Sequence, residues 1–492
     1  MSLGRLLRAL EVKHRVDSFA DRGVTRWGNK DIYPVIKAEQ TFIWSDFYAY
    51  WMTSGISMSS WTLGSSLIGY GLTASQAIVA VLLGTLLASK NAFLCGEIGR
   101  DHHLGYTMMS RACWGLYGSY LGIFLSTMQC LIFFGVQAYF GGQAVVLWLS
   151  AIFPQFLRLK NTLPESSLIT TQALLGFLLY FVFFTPIIFV RPHKLQKYLY
   201  CSVILITLTC FGVLAWAVHT NNGSVGNLVS SSIKISATER RYRMGLGICS
   251  VAGQYTGSSV RIADWTRFQK TRRASIPAML TAMPIGITIG ALLGVLTTSA
   301  TLQIFDGELI WNPLIMLQKV QHENYTPTCR ALTFFAGIGF TSSQVFINMT
   351  QNVVSAGMDL AGVLPKFLDI RRSGIVIKGI YWFHWCLNWR AFLVFFLCTA
   401  PSMPGFVVNI NGNSIGKAWT RIYQVTWFFG YFSAALLYCS ICKASPPPGL
   451  GVQEDMPEYI EGVVVTTEEI ETVSTSEHKS KHAVEVSEPD VA

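Results

Sequence analysis

The stretch WMTSGISMSSWTLGSS, residues 51–66, lies in the middle of an apolar run of membrane-spanning length, yet ten of its sixteen residues are Ser, Thr or Gly. Hydrocarbon offers no hydrogen-bond partner, so polar groups are costly there unless the protein itself supplies one. A run of this kind predicts either tight helix packing through small residues or a helix that breaks within the membrane.

Composition supports the membrane interpretation. Of 492 residues, 51% are hydrophobic and 13% are charged, whereas about 25% of a typical soluble domain is charged. The net charge of +10 does not indicate a nucleic-acid-binding protein, because the basic residues lie in short loops between apolar runs. We expect a lipid bilayer and no nucleic acid as a partner, and the sequence leaves the oligomeric state open.

Ten runs of about twenty mostly apolar residues predict an all-α polytopic membrane protein. The predicted spans are 46–67, 74–95, 117–147, 168–190, 198–218, 243–262, 276–302, 330–357, 388–405 and 419–441. Basic loops at 191–197, 266–273 and 366–372 fall on one side of the membrane together with the basic N-terminal arm. The excess of Lys and Arg predicts that both termini are cytoplasmic, and we expect the plasma membrane.

A second stretch resembles the first in character. GLGICSVAGQYTGSSVRIADW, residues 245–265, lies in the sixth predicted span, five helices after the first. Transporters built from inverted repeats bind their substrate between discontinuous helices, which interrupt the two halves at corresponding positions. The matching positions favour a binding site over packing alone.

Two intramembrane amides, Gln137 on the third span and Asn352 on the eighth, are candidate ligands for a substrate. An amide matches the alternating N–H and C=O edge of a pyrimidine or hydantoin. Phe133, one turn before Gln137, and Tyr255 in the sixth span offer faces on which such a ring could stack. From spacing alone, amides that merely bridge helices explain the pattern equally well.

Six stretches carry a family resemblance over nearly the whole chain. They are NKDIYPVIKAEQTFIWSDFYAYW (29–51), GEIGRDHHLGYTMMSRACWGLYGSY (96–120), FFGVQAYFGG (133–142), DWTRFQK (264–270), SAGMDLAGVLPKFLDIRRSG (355–374) and NWRAF (388–392). The chain resembles the nucleobase–cation symport 1 family, in its fungal branch of uracil, uridine and allantoin permeases and thiamine transporters.

The resemblance implies a LeuT-like fold of two inverted five-helix repeats with two peripheral helices. It also implies a transporter rather than an enzyme, with uptake of a nucleobase or related heterocycle of the uracil, uridine or allantoin type by alternating access. Carried over by position, the family's substrate-binding residues fall on Phe133, Gln137, Tyr255 and Asn352. The family's usual aromatic at the first place is Trp, so Phe133 is a departure.

The resemblance also bears on the coupling ion. Sodium-coupled relatives use small hydroxyl residues one to two turns before the eighth-helix amide, where this chain has Phe346 and Ile347, although Ser343 is nearby. A hard cation needs several oxygen ligands, so we expect protons and not sodium, with no metal and no other cofactor. Three residues could carry the proton, namely Glu97, Asp264 and Asp359. For each of them, an ordinary solvated position at the membrane interface explains the carboxylate equally well.

A gate is a further hypothesis. Asp359 could pair with Lys270 across the cytoplasmic mouth and open or close it. Surface ion pairs of this kind are common and often inert, so an inert pair explains the two residues as well.

A gap separates the chain from the family pattern. In the family, two more spanning helices follow the segment matched by LPKFLDIRRSG, but here only eight residues separate Arg372 and Tyr381, too few for a helix of about twenty residues. We therefore predict an arm (1–45), a first repeat (46–218), an incomplete second repeat (243–357), two peripheral helices (388–441) and a disordered acidic cytoplasmic tail (443–492). Since rocking of repeats needs both of them, we expect poor transport.

Other functions stay open at this point. SAGMDLAGVLPK favours a thiamine or nicotinamide riboside transporter, whereas FFGVQAYFGG favours the uracil and allantoin type. A non-transporting nutrient sensor, or an inactive truncated permease, is the alternative from another class of protein.

Overall fold

The computed structural model describes residues 27–29, 31–164, 169–226, 236–365, 395–411 and 416–444, and two short strands beyond them. The first helices are α1 Trp44–Gly55, α2 Met58–Gly69, α3 Ala74–Cys95, α4 Glu97–His102, α5 Tyr106–Trp114, α6 Ser119–Ile152, α7 Pro154–Leu157, α8 Thr171–Ile188 and α9 Gln196–Thr220. They are followed by α10 Ala237–Val260, α11 Ala263–Thr266, α12 Met283–Ile304, α13 Pro313–Glu323, α14 Pro327–Ile347, α15 Val354–Val363, α16 Met403–Asn411, α17 Lys417–Gln424 and α18 Thr426–Ala444.

Short irregular turns punctuate these helices. A π-helical turn, Ala278–Ala282, leads into α12, and a second, Asn348–Val353, joins α14 to α15. The 3-10 turns are Lys37–Glu39, Pro192–Lys194 and Ala400–Ser402.

The first predicted span is broken in the middle. Helix α1 ends at Gly55, and the backbone of Ser57 is extended, with φ −149° and ψ 166°. Ser57 then caps α2 reciprocally: its Oγ accepts from the Ser60 backbone N–H at 3.3 Å, while the Ser60 Oγ accepts from the Ser57 N–H at 3.1 Å. The serines therefore satisfy the backbone groups that the interruption exposes inside the membrane body.

The sixth span differs from its prediction in where it breaks. Helix α10 runs without interruption to Val260, and the chain turns only at 261–262 before the short helix α11. The small residues before that point serve packing: a Cβ on Gly247 would meet Leu67, and one on Gly257 would meet the Gln129 amide. Close helix approach thus explains most of this stretch, and the break lies at its end.

The helices form two groups that face each other. In one group, α3 packs along α10 and α12, and α1 and α2 pack along α12. In the other group, α6 packs along α8 and α14, and the π-helical turn Asn348–Val353 also contacts α6. Helix α9 contacts both α12 and α14 and so connects the two groups. This arrangement leaves the break after α1 and the π-helical turn on facing surfaces.

Five helices of the described chain are long and apolar enough to cross a membrane, namely Ala74–His102, Ser119–Ile152, Thr171–Ile188, Gln196–Thr220 and Ala278–Ile304. Two shorter apolar helices, Phe395–Val408 and Thr426–Ile441, follow. Helices α8 and α9 turn large apolar side chains outward, among them Val182 and Leu208, which are 63% and 67% exposed. Such apolar faces suit contact with lipid. The total of ten membrane spans stays a prediction.

The gap region and most of the tail lie outside the described residues. These include 366–394, where we predict the loss of two helices. Within the segment for which we predict disorder, β1 Glu458–Ile460 pairs antiparallel with β2 Val463–Val465, and the disorder of the tail stays a prediction. The sequence accounts for the pairing, since EYI and VVV favour strands and only Glu461 and Gly462 separate them.

Candidate substrate-binding site

A cavity with about 450 Å³ of empty space lies between the two groups of helices. Four segments line it: the break after α1, the middle of α6, the end of α10 and the π-helical turn. The lining residues are Ser54, Ser57, Ser59, Gln129, Phe133, Gln137, Gln254, Tyr255, Ser258, Arg261, Ile347, Gln351 and Asn352. All four residues that the family resemblance assigns to substrate binding therefore lie around one space.

Gln137 on α6 has one satisfied and one unsatisfied end. Its Nε2 donates to the Ser59 Oγ across the cavity at 2.7 Å. Its Oε1 is buried and has no hydrogen-bond partner among the described residues. Gln137 is thus partly a bridge between α6 and α2, and it also offers a free acceptor to a ligand. An unmade hydrogen bond of a buried group costs about 1–3 kcal/mol, which a ligand N–H could recover.

Two aromatic residues flank the same space. Tyr255 is 5% exposed, and its hydroxyl has no hydrogen-bond partner in the described part of the chain. Phe133 is half-buried on α6. An aromatic face at each of these positions could contact a planar ring, and the tyrosine hydroxyl could donate to its edge.

The π-helical turn brings two more amides to the cavity. Asn352 donates from Nδ2 to the Asn348 Oδ1 at 2.7 Å, and Asn348 in turn donates to the Phe134 carbonyl at 3.2 Å and the Tyr180 hydroxyl at 3.1 Å. Asn348 is therefore the residue that bridges helices, and it positions Asn352. Next to it, both polar atoms of the Gln351 amide are buried without a partner among the described residues. π-Helical turns of this kind are often found at functional sites.

Sequence reasoning missed Arg261 and Gln129. Arg261 begins the turn between α10 and α11, is 4% exposed, and donates from Nη1 to the Gln129 Oε1 at 3.2 Å and the Ser126 Oγ at 3.3 Å. A signal was available, because an ionisable residue within a predicted span is by itself a reason to suspect a functional site. Gln129 carries no such signal, since its role depends on the guanidinium it meets.

The predicted gate between Lys270 and Asp359 is absent from this structure. Asp359 is fully buried and accepts a hydrogen bond at Oδ2 from the Ser126 Oγ at 2.6 Å. Lys270 is exposed, and its backbone N–H donates to the Phe42 carbonyl at 2.8 Å. No ion pair within 4.0 Å joins the two side chains, both of which belong to the described residues. Helix α15 turns Asp359 inward, toward α6, so the two side chains do not pair in this structure, and the gate stays a prediction.

The other two proposed proton carriers differ from each other. Asp264 is fully buried, and its Oδ1 accepts the Tyr106 backbone N–H at 2.8 Å. Glu97 is half-exposed and pairs with Arg100 and, at 3.4 Å, with Arg272. A solvated interfacial position therefore fits Glu97 and does not fit Asp264 or Asp359.

The segment before α1 covers one end of the helix groups. Its Phe42 is fully buried, and the Phe42 N–H donates to the Phe268 carbonyl at 2.9 Å. Arg267, just after α11, donates to the Asp31 and Tyr33 carbonyls, both at 2.6 Å. Through these contacts, the segment before α1 covers the end of the helix groups at which α11 lies.

The surroundings of the expected sodium position are largely apolar. Phe346 is buried and stacks on Tyr198 with 6.2 Å between ring centroids, and Ile347 lines the cavity. The Ser343 Oγ is buried without a partner among the described residues. Within those residues, no group of three or more His, Cys, Asp or Glu side chains could hold a metal ion.

Comparison with known proteins gives the same class at the level of sequence. Residues 34–380 match the family model described as permease for cytosine/purines, uracil, thiamine, allantoin. The transporter aclS of Aspergillus oryzae is 26% identical over 560 aligned residues, which cover 90% of this chain and 91% of that protein. In Saccharomyces cerevisiae, a thiamine transporter is 28% identical over 90% of this chain and 83% of its own, and uridine permease is 25% identical over 86% and 75%.

Solved structures show the same fold. Mhp1, a nucleobase-cation-symport-1 family transporter, in a closed conformation with bromovinylhydantoin bound, superposes with a TM-score of 0.64 at 16% identity and covers 85% of this chain and 97% of its own. The inward-facing conformation of Mhp1 superposes with a TM-score of 0.62 at 15% identity, with 86% and 96% covered.

Proposed function

Because the chain belongs to the nucleobase–cation symport 1 family of permeases, we propose that it takes up a nucleobase or related heterocycle of the uracil, uridine or allantoin type by alternating access, coupled to protons. The chain is a multi-pass membrane protein and a transporter-family member, not an enzyme. One observation carries the proposal of a heterocycle: buried polar atoms of Gln137, Tyr255 and Gln351 lack partners among the residues that the structure describes, and these residues line a single cavity.

The chemistry of these atoms fits a planar ring with alternating donors and acceptors. The Gln137 Oε1 would accept a ring N–H, and the Gln351 amide and Tyr255 hydroxyl would donate to ring carbonyls. Phe133 would contact the ring face and contribute about 0.5–1.5 kcal/mol beyond the area it buries. Asn352, held by Asn348, would contact the ring from the π-helical turn.

Proton coupling is proposed through Asp359. Its carboxylate is connected to the cavity through Ser126, whose Oγ also lies 3.3 Å from the Arg261 Nη1. A change in the charge of Asp359 would therefore alter the hydrogen bonds of a residue that lines the site. Sodium coupling is not proposed, because Phe346 and Ile347 supply no side-chain oxygen.

A second candidate is a chain that binds its ligand but transports poorly. Ninety per cent of 492 residues is about 443, so about 117 of the 560 positions aligned with aclS lack a residue of this chain. A deficit of that size would accommodate the two helices of about twenty residues each that we predict to be missing between Arg372 and Tyr381. A binding site retained without a complete second repeat would suit a non-transporting nutrient sensor or an inactive truncated permease.

Uptake and binding, measured on this very sequence, separate the two candidates. The chain is expressed at the plasma membrane of cells that lack their own permeases, and labelled uracil, uridine, allantoin, thiamine and nicotinamide riboside are offered in turn. Saturable uptake of the first three, lost in Gln137→Ala, supports the transporter. Binding by purified protein without uptake supports the second candidate, and the absence of both contradicts the proposed site. Epitope tags at each terminus, probed in intact cells, test the cytoplasmic orientation.

A further inference from the structure

Arg261 gives the cavity a charge. Of the cavity-lining residues that the structure describes, Arg261 is the one with an ionisable side chain that is charged at neutral pH, and it is 4% exposed. Arginine stays protonated even when buried, because its guanidinium is too basic to lose its proton in a protein. The lining therefore carries a formal charge of +1.

Most hydrogen bonds of Arg261 are made by one nitrogen of its guanidinium, Nη1. Nη1 meets the Gln129 Oε1, the Ser126 Oγ and, at 3.4 Å, the Ser126 carbonyl. Nη2 reaches only the Gln351 carbonyl, at 3.5 Å, and Nε has no hydrogen-bond partner among the described residues. The guanidinium thus keeps donors available that protein atoms do not satisfy.

No carboxylate neutralises the guanidinium directly. No ion pair within 4.0 Å joins Arg261 to an Asp or Glu of the described chain. The carboxylate of Asp359 is reached through Ser126, whose Oγ donates to its Oδ2 at 2.6 Å. Because the Ser126 hydroxyl lies between the two groups, Asp359 compensates the positive charge only at a distance. A negative or strongly polarised ligand atom is therefore favoured on the side of the guanidinium that faces the cavity.

We propose that Arg261 is a specificity-determining residue that binds a carbonyl or carboxylate oxygen of the ligand and discriminates against cations. The inference rests on the proposed function and sharpens it, since the ligand class becomes a neutral or acidic heterocycle with an oxygen acceptor. Thiamine carries a fixed thiazolium charge and nicotinamide riboside a pyridinium charge, so this site disfavours both. That holds although a thiamine transporter is among the relatives.

Electrostatics sets the size of the effect. A charge on the ring is attracted or repelled by the guanidinium according to its sign, and the low effective dielectric constant of a partly buried site strengthens both effects. Because the buried carboxylates of Asp359 and Asp264 oppose part of this charge, we expect the affinities of an anion and a cation built on the same ring to differ by about tenfold or more.

The experiment uses one ring in three charge states. Binding of uracil, uracil-5-carboxylate and 5-aminomethyluracil to the purified full chain is measured by calorimetry at neutral pH. In the wild type, the carboxylate should bind at least about tenfold more tightly than the amine, with uracil between them. An equal or reversed order in the wild type overturns the inference without any variant.

Variants assign the preference to Arg261. In Arg261→Gln, the ratio between the carboxylate and the amine should fall about tenfold or more, whereas Arg261→Lys should keep its direction because the charge remains. Arg241→Gln removes the same charge at an exposed position and should keep the wild-type ratio. The ratio of the two affinities within one protein does not depend on how much of that protein is folded. If Arg261→Gln does not fold, the order of the three ligands in the wild type and in Arg261→Lys tests the inference.

Failure of the inference and failure of the proposed function look different. If uracil binds but Arg261→Gln keeps the wild-type order, the inference alone is wrong. If no ring binds the wild-type chain in any charge state, the proposed site is wrong, and the inference falls with it.

Discussion

The central cavity and a groove on the outer face of α9 and α14 differ in an instructive way. The groove, lined by residues that include Leu208, Gly212, Trp216, Leu332 and Phe335, holds about 1070 Å³ of empty space, against about 450 Å³ for the cavity, with open solvent counted in both volumes. Size alone would therefore select the groove as the binding site. The state of the polar atoms leads to the opposite choice.

In the groove, the two threonines are satisfied within the protein. The Thr209 Oγ1 donates to the Leu205 carbonyl at 2.8 Å, and the Thr333 Oγ1 donates to the Cys329 carbonyl at 2.7 Å. Phe335 on its rim is 69% exposed, as suits a surface in contact with lipid acyl chains. The cavity, by contrast, holds buried amide and hydroxyl groups that have no partner in the described part of the chain. Unpaired polarity, rather than volume, distinguishes a specific site from a packing defect.

The largest expected effect comes from removal of the amides. Gln137→Ala and Asn352→Ala should each abolish high-affinity binding of the heterocycle, because each lost contact costs about 1–3 kcal/mol in a dry site. Binding by calorimetry, with surface delivery and folding measured in parallel, tests the prediction.

Two controls accompany these variants. Leu332→Ala in the groove should leave ligand binding unchanged. Ser59→Ala removes the partner of Gln137 without touching its acceptor and should weaken binding far less than Gln137→Ala. If both amide variants bind every heterocycle like the wild type, the amides only bridge helices and the site lies elsewhere.

The sequence could predict four of the residues that surround the cavity, but not Arg261 or Gln129, and not how the lining residues reach it. The polar run at 51–66 contains both the break and its capping serines, so the first break follows from local chemistry. The π-helical turn Asn348–Val353 leaves no such signature, because it depends on the packing of α14 against α6. For the same reason the sequence could not place Asp359, whose buried position depends on the contact with Ser126 on α6.

A smaller effect is expected at the aromatic face of the cavity. Phe133→Ala should weaken ligand binding more than Phe133→Trp, since a stacking face is worth about 0.5–1.5 kcal/mol beyond the area it buries. Titration of both variants with the same heterocycle measures the difference. Tighter binding by the alanine variant would show that the ring does not stack there.

Tyr255→Phe should have a comparable or smaller effect. The variant keeps the ring and loses only the hydroxyl, so the expected loss is about 0.5–1.5 kcal/mol, the net value of one hydrogen bond. Because the hydroxyl has no partner among the described residues, thermal stability without ligand should not fall. A large loss of stability in the apo variant would mean that the hydroxyl serves the fold instead of the ligand.

No effect at all is expected from sodium. Replacing sodium by choline should leave binding and any uptake unchanged, because Phe346 and Ile347 offer no oxygen ligand. Equilibrium binding in both buffers is the measurement. A steep dependence on sodium would place an ion near the unpaired Ser343 Oγ and would revise the coupling.

Photocrosslinking tests most directly whether the cavity, and not the groove, is the heterocycle site. 4-Thiouracil is bound to the purified full chain and irradiated, and the labelled peptides are mapped by mass spectrometry with and without excess uracil. We predict adducts that uracil suppresses on the lining segments around Phe133 and Tyr255, and no such adducts around Leu208 or Leu332. Adducts confined to the groove, or adducts that uracil does not suppress, would contradict the assignment of the site.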